Sequence, residues 1–176
     1  YLYAVKSAYA SHGEMSAESE FKTLVKELHR AGIECIPELY FTGKELPGEI
    51  VSVLRYWVEE YHVDGFHLSG FPNLLLAAED PFLKRTKLFA ENWNDVMNRR
   101  PKQGYVTPGD GAVSVEEKNL AEYNMQFMED MRRFLKGDEG MLSAFELRNR
   151  RNPMEYAVIN YMANTNGFTL MDTVSY

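Results

Sequence analysis

The sequence predicts an α/β fold built on one parallel sheet. Segments rich in β-branched and aromatic residues alternate with amphipathic helical segments, and the connections are long enough to hold crossover helices. The clearest unit is a helical pattern over residues 49–61, followed by a strand over 63–69 that Gly70 ends. No repeat, low-complexity tract or linker divides the 176 residues. We therefore expect a single domain over residues 1–176.

The composition and the charge argue against several classes of function. The chain is 45% hydrophobic and 13% aromatic, which is typical of a folded domain. Its net charge of −7, without a basic stripe, argues against nucleic-acid and membrane partners. No apolar run approaches the roughly 18 residues of a membrane span. With one cysteine, Cys35, and no visible signal peptide, the sequence predicts a cytoplasmic location, and Cys35 is expected to be buried in a strand.

The first half of the chain predicts two helices, each of which leads into a strand. Ser16 can cap the first helix, and Pro47 lies at the start of the second. Between them, residues 33–41 are rich in strand-forming types. Pro37 disfavours a fully paired central strand here, because proline has no amide hydrogen to donate. The apolar residues of the second helix share one stripe, formed by Ile50, Val53, Leu54, Trp57 and Val58.

The second half predicts two further strands and one long helix. A connection with a short helix over residues 72–85 leads to a strand over 86–90, and Glu91 lies at its carboxyl end. A long helix is predicted over 116–136, and a last strand over 156–163. We expect the strands to be parallel neighbours. Four or five strands fall short of a closed (β/α)8 barrel, which takes about 250 residues.

Five segments resemble, in the right order, motifs of the α-amylase superfamily of glycoside hydrolases, and most of all its glycogen-debranching and isoamylase branch. Their sequences are FKTLVKELHRAGIECIPEL, DGFHLSGF, TKLFAENWN, NLAEYNMQFMEDMRRFLKGDEG and INYMANTNGFTLMDTVSY. The resemblance implies a partial (β/α)8 TIM barrel of the amylase type, truncated at both ends. It also implies that the missing strands come from a longer native chain or from a second copy.

Only some of the catalytic residues of this family have a counterpart of the same type in this chain. A retaining glycosidase needs a nucleophilic carboxylate and an acid about 5–5.5 Å apart. The resemblance assigns the acid to Glu91, but in the family motif D-G-F-R-x-D the arginine position holds His67 and the nucleophile position holds Ser69. Asn166 replaces the third acid. A serine needs an activating base and lacks the carboxylate charge, so the resemblance implies a catalytically inactive homologue.

Four other residues are candidates for contacts with sugar. Glu38 stands where the first motif of the family has an aspartate, and Thr165 stands where the fourth motif has a histidine. The aromatic residues Trp93 and Tyr105 lie in predicted loops, where their rings could stack on sugar faces. We expect these residues to bind an α-glucan or a maltodextrin, without a cofactor.

Three functions remain open at this point. The favoured one is a non-hydrolytic homologue that retains α-glucan binding. The second is an active glycoside hydrolase of altered mechanism that uses Glu91 as its acid, and the third is a scaffold or interaction module. A Ser69–His67 nucleophile pair lacks an orienting acid. A divalent metal held by Glu38, His67 and Glu91 lacks a signature spacing, so no metal is expected.

Overall fold

Among the residues described by a computed structural model of the chain, five parallel strands form an open sheet. The model describes residues 2–11, 13–93, 96, 119–153, 156–164, 167, 169, 171 and 172. Within this part of the chain the strand order follows the sequence, and all four neighbouring pairs are parallel. The strands are β1 (Glu38–Phe41), β2 (Gly65–Gly70), β3 (Lys87–Ala90), β4 (Leu120–Tyr123) and β5 (Ala157–Ile159). The predicted α/β fold with a parallel sheet is confirmed.

Helices lie between the strands or next to them. The α-helices of the described residues are α1 (Ala17–Arg30), α2 (Pro47–Tyr61), α3 (Leu75–Glu79), α4 (Met125–Lys136) and α5 (Met141–Asn149). The Ser16 hydroxyl caps α1 as predicted, because it accepts a hydrogen bond from the Ser19 amide at 3.3 Å. The short helix expected between residues 72 and 85 is α3. None of the helices in the described ranges combines the length and the apolarity that a membrane span requires.

The two faces of the sheet differ in their side chains. Leu39, Leu68 and Ala90 point to one face and belong to the same buried core as the residues that α2 contributes. These α2 residues are Ile50, Val53, Leu54, Trp57 and Tyr61. Each buried aliphatic or aromatic side chain of this kind contributes about 1.5–3 kcal/mol. By the alternation of strand residues, the opposite face, which we call the inner face, carries Glu38, Tyr40, His67, Ser69, Phe89, Ala121 and Tyr123.

The prediction of one long helix over residues 116–136 is wrong. Residues 120–123 form β4, and α4 begins only at Met125. Asn124 separates the two elements, because its Oδ1 caps α4 by accepting a hydrogen bond from the Phe127 amide at 3.1 Å. As a consequence, β4 lies between β3 and β5, which the sequence had predicted to be neighbours.

The first strand begins later than the sequence predicts. Pro37 has no amide hydrogen to donate, and β1 starts at the next residue. The carbonyl of Pro37 nevertheless accepts a hydrogen bond from the His67 amide at 3.0 Å, so the approach to β1 is tied to β2. Cys35 is buried, as expected, but it precedes the strand instead of lying within it.

Candidate functional site

The inner face and the carboxyl ends of the strands bring together several of the predicted site residues. In parallel α/β sheets, this edge is where ligands bind. Glu38 and His67 are register partners on β1 and β2, and His67 is in turn paired with Phe89 on β3. Ser69 lies two residues further along β2, and Glu91 follows directly after β3.

His67 is packed into a row of rings. Its imidazole lies 4.3 Å from the Tyr123 ring centroid, and the Tyr123 ring stacks on Tyr161 at 4.2 Å. The Nδ1 atom is 3.7 Å from the nearest carboxylate oxygen of Glu38, and the Nε2 atom is buried without a hydrogen-bond partner among the described residues. Burial raises the pKa of Tyr161 to about 12, with smaller contributions from Tyr123 and the Glu91 carboxylate.

Ser69 occupies the nucleophile position as a buried hydroxyl that is only 5% exposed. Its Oγ donates a long hydrogen bond of 3.5 Å to the backbone carbonyl of Leu39. The Nε2 atom of His67 accepts no hydrogen bond from it within the described structure. The structure therefore does not form the Ser69–His67 nucleophile pair.

Glu91 is exposed and lies in a cleft of about 340 Å³ at the carboxyl ends of β2 and β3. Asn73 and Asn92 also line this cleft, together with the aromatic ring of Phe71 and apolar residues. The cleft thus combines a carboxylate, two amides and an aromatic ring, which is a combination typical of small-ligand sites. No lysine, arginine or histidine is among its described lining residues.

Two of the described residues that were predicted to contact substrate, Glu38 and Trp93, are not among the residues that line this cleft. Trp93 is completely buried, and its indole Nε1 donates a hydrogen bond of 2.8 Å to the carbonyl of Ala121. Its ring therefore has no exposed face on which a sugar could stack. Tyr105, Thr165 and Asn166 lie outside the described residues.

Two exposed aromatic residues were missed as site candidates. Tyr40 on β1 is 61% exposed, and Phe71, just beyond β2, is 74% exposed. The sequence contained a signal for Phe71, because it directly follows Gly70, the residue that ends a strand at the ligand edge. Tyr40 carried no comparable signal, since an aromatic residue within a strand is more often part of the core.

The described residues contain no group of three or more histidine, cysteine, aspartate or glutamate side chains arranged to hold a metal ion. Glu38 and His67 approach each other, whereas Glu91 follows β3, which is next to the strand of His67 but two strands away from that of Glu38. The structure gives no support to the alternative of a three-residue metal site.

Comparison with known proteins finds that the chain is similar to isoamylases, glycogen debranching enzymes and glycogen operon proteins. Isoamylase 3, chloroplastic, of Oryza sativa subsp. japonica is 30% identical, with 99% of this chain and 30% of the relative aligned. The glycogen debranching enzyme of Serratia proteamaculans is 28% identical over 99% of this chain and 35% of the relative. The glycogen operon protein GlgX homolog of Haemophilus influenzae is 26% identical over 99% of this chain and 35% of the relative.

The chain thus spans about a third of the length of these curated relatives. A scan against protein-family models gave no match.

Proposed function

Because the chain belongs to the glycogen-debranching and isoamylase branch of the α-amylase superfamily, we propose that it binds α-glucan without hydrolysing it. The observation that carries this proposal is the contrast between two positions of the family's active site. Glu91, at the acid position, is exposed in a cleft, whereas Ser69, at the nucleophile position, is a buried neutral hydroxyl.

The lack of hydrolysis is supported by the charges that remain on the inner face. A retaining mechanism stabilises a positively charged sugar with an ionised carboxylate about 5–5.5 Å from the acid. Ser69 supplies no such charge. The next carboxylate on the inner face is Glu38, which lies on β1, two strands away from β3. Neighbouring strands are about 4.8 Å apart, so these two backbones are separated by roughly 10 Å, about twice the retaining distance.

Retained glucan binding is supported by the chemistry of the cleft. Carboxylate and amide groups can accept and donate hydrogen bonds to sugar hydroxyls, and Glu91, Asn73 and Asn92 provide them. The volume of about 340 Å³ falls within the range of small-ligand sites, roughly 300–1,000 Å³. Since the described lining residues include no cationic side chain, the cleft suits a neutral polyhydroxyl ligand better than an anion.

The experiment that tests this proposal combines a binding assay with an activity assay. The wild-type protein and its Glu91→Gln variant are sedimented with glycogen and, in parallel, incubated with α-1,4 and α-1,6 glucans while reducing ends are measured. We expect the wild-type protein to sediment with glycogen and both proteins to release no reducing ends. Ser69→Asp should recover little activity, because His67 and Asn166 remain unchanged.

Other outcomes would select the alternatives. Turnover that Glu91→Gln abolishes would establish an active glycoside hydrolase of altered mechanism. Turnover that is indifferent to Glu91 would refute the site assignment. Absence of both turnover and sedimentation would favour a scaffold or interaction module.

A further inference from the structure

We propose that Tyr40 and Phe71, which we call the rim pair, bind glucose units of an α-glucan at the carboxyl ends of β1 and β2. This inference rests on the proposed function and specifies where the sugar rings stack. Both residues are large aromatic side chains with most of their surface exposed, 61% for Tyr40 and 74% for Phe71. Large exposed rings of this kind at a ligand edge are candidates for recognition.

The Tyr40 ring is held in place by the close approach of a neighbouring backbone. Its register partner is Ser69, and its ring lies over Gly70, where an added Cβ would come within 2.9 Å of the Tyr40 Cε2 atom. Gly70 also has a φ of +83°, a conformation that L side chains rarely adopt. Glycine at this position thus allows the exposed ring to pack against β2.

Phe71 is held by the adjoining loop. Its amide donates a hydrogen bond of 2.9 Å to the Phe41 carbonyl, and its Cβ would be 3.1 Å from a Cβ added at Gly43. That loop is itself ordered by the Glu45 carboxylate, which accepts hydrogen bonds from the Thr42 amide at 3.2 Å, the Thr42 hydroxyl at 2.9 Å and the Gly43 amide at 3.0 Å. Because the Tyr40 ring packs against Gly70 and the Phe71 backbone is already hydrogen-bonded, a ligand that stacks on these residues has less of the chain to order.

The surroundings of the rim pair favour a neutral sugar chain as the occupant. Phe71 lines the same cleft as Glu91, so a chain that reaches the acid position would pass over its ring. The carbon-bound hydrogens on the face of a glucose ring suit an aromatic surface, and its hydroxyls suit the amides and the carboxylate beside it. The protein carries a net charge of −7, and no cation lines the described cleft, so a polyanion is disfavoured.

The test measures affinity for glycogen and for a soluble maltodextrin in ring-removal variants. Tyr40→Ala and Phe71→Ala should each weaken binding roughly three- to tenfold, as expected for the loss of one aromatic contact. The double variant should lose approximately the product of the two factors. Tyr40→Phe should bind as well as the wild type because it retains the ring. Thermal unfolding of every variant establishes that the fold is intact.

A matched control is Phe82→Ala, since Phe82 is also exposed but precedes β3 at the opposite end of the sheet. This variant should bind glycogen normally, and heparin, a polyanion, should not be retained by the wild type. If the wild type binds glycogen and both ring-removal variants bind equally well, the rim pair is refuted while the proposed function stands. If Phe82→Ala weakens binding as much as they do, the rim pair is also refuted. If the wild type does not bind glycogen, both proposals fail.

Discussion

Replacement of His67 by phenylalanine tests whether the inner face contains an unpaired polar atom. The Nε2 atom of His67 is buried and has no hydrogen-bond partner among the described residues. Leaving such an atom unpaired costs about 1–3 kcal/mol. A phenyl ring removes this cost and preserves the contact with Tyr123, whose ring centroid lies 4.3 Å away. The variant should therefore gain stability from the loss of the imidazole nitrogen.

Two smaller effects oppose this gain. The Nδ1 atom of His67 is 3.7 Å from Glu38, which is too long for a hydrogen bond, and the Glu38 side chain is 35% exposed. An ion pair of this kind contributes at most about 1 kcal/mol. The phenyl ring is also larger than imidazole, and overpacking costs about 1 kcal/mol. We therefore expect the free energy of unfolding of His67→Phe to lie within about 1 kcal/mol of that of the wild type.

Urea unfolding followed by circular dichroism measures this difference, provided that the m-value is unchanged. The matched control is His67→Ala, which removes the ring beside Tyr123 and should cost about 2–4 kcal/mol through lost contacts and the cavity left behind. A destabilisation of more than about 1 kcal/mol in His67→Phe would refute the reasoning, because it would mean that Nε2 has a partner or that the Glu38 contact is strong.

Three further predictions concern stability and ionisation. Gly70→Ala should lose about 3 kcal/mol in urea unfolding, because its Cβ would lie 2.2 Å from the Phe41 carbonyl oxygen, whereas Gly32→Ala, also at positive φ but in open space, should lose about 1 kcal/mol. Arg151→Met should lose about 2–3 kcal/mol, since it leaves the Glu122 carboxylate buried without its cation, and the double variant with Glu122→Met should recover most of the loss. In an alkaline ultraviolet titration, Tyr161→Phe should remove one ionisation near pH 12. Because that pKa is raised above the roughly 10 of the unfolded chain, the contribution of Tyr161 to stability is present below pH 10 and is lost as the pH rises through 12. Equal losses at the two glycines, no recovery in the double variant, or an unchanged titration would each contradict the corresponding argument.

The parallel sheet could be predicted because most of its strands are separated by helical segments of distinct pattern. β4 could not, because its sequence LAEY consists largely of strong helix formers and runs directly into the residues of α4. The available signal is Asn124, a preferred helix-capping residue that lies inside the segment for which the sequence predicts one long helix. Neighbouring strands, not local propensity, determine the conformation of residues 120–123.

The failure to predict β4 also explains why the sequence assigns Trp93 to sugar contacts although its ring is buried. Trp93 follows a strand at the ligand edge, and a sequence pattern cannot distinguish an indole that faces a ligand from one that packs inward. Its hydrogen-bond acceptor, the carbonyl of Ala121, belongs to β4, and since the sequence does not predict this strand, it also does not predict that Trp93 is buried. Glu91 was easier to place, because a residue directly after a strand lies at the carboxyl edge whatever its side-chain contacts are.

The residues at positions 67 and 69 are physically coupled. They lie on the same face of β2, and position 69 is only 5% exposed, so an ionised carboxylate there would cost several kcal/mol unless a cation offset it. The family motif has an arginine two residues earlier, whereas this chain has His67, packed against Tyr123. Without the arginine, burial at position 69 therefore favours a neutral residue over an ionised carboxylate. The proposed binding at the rim pair and at the cleft requires no buried charge, so it is compatible with a neutral residue at position 69.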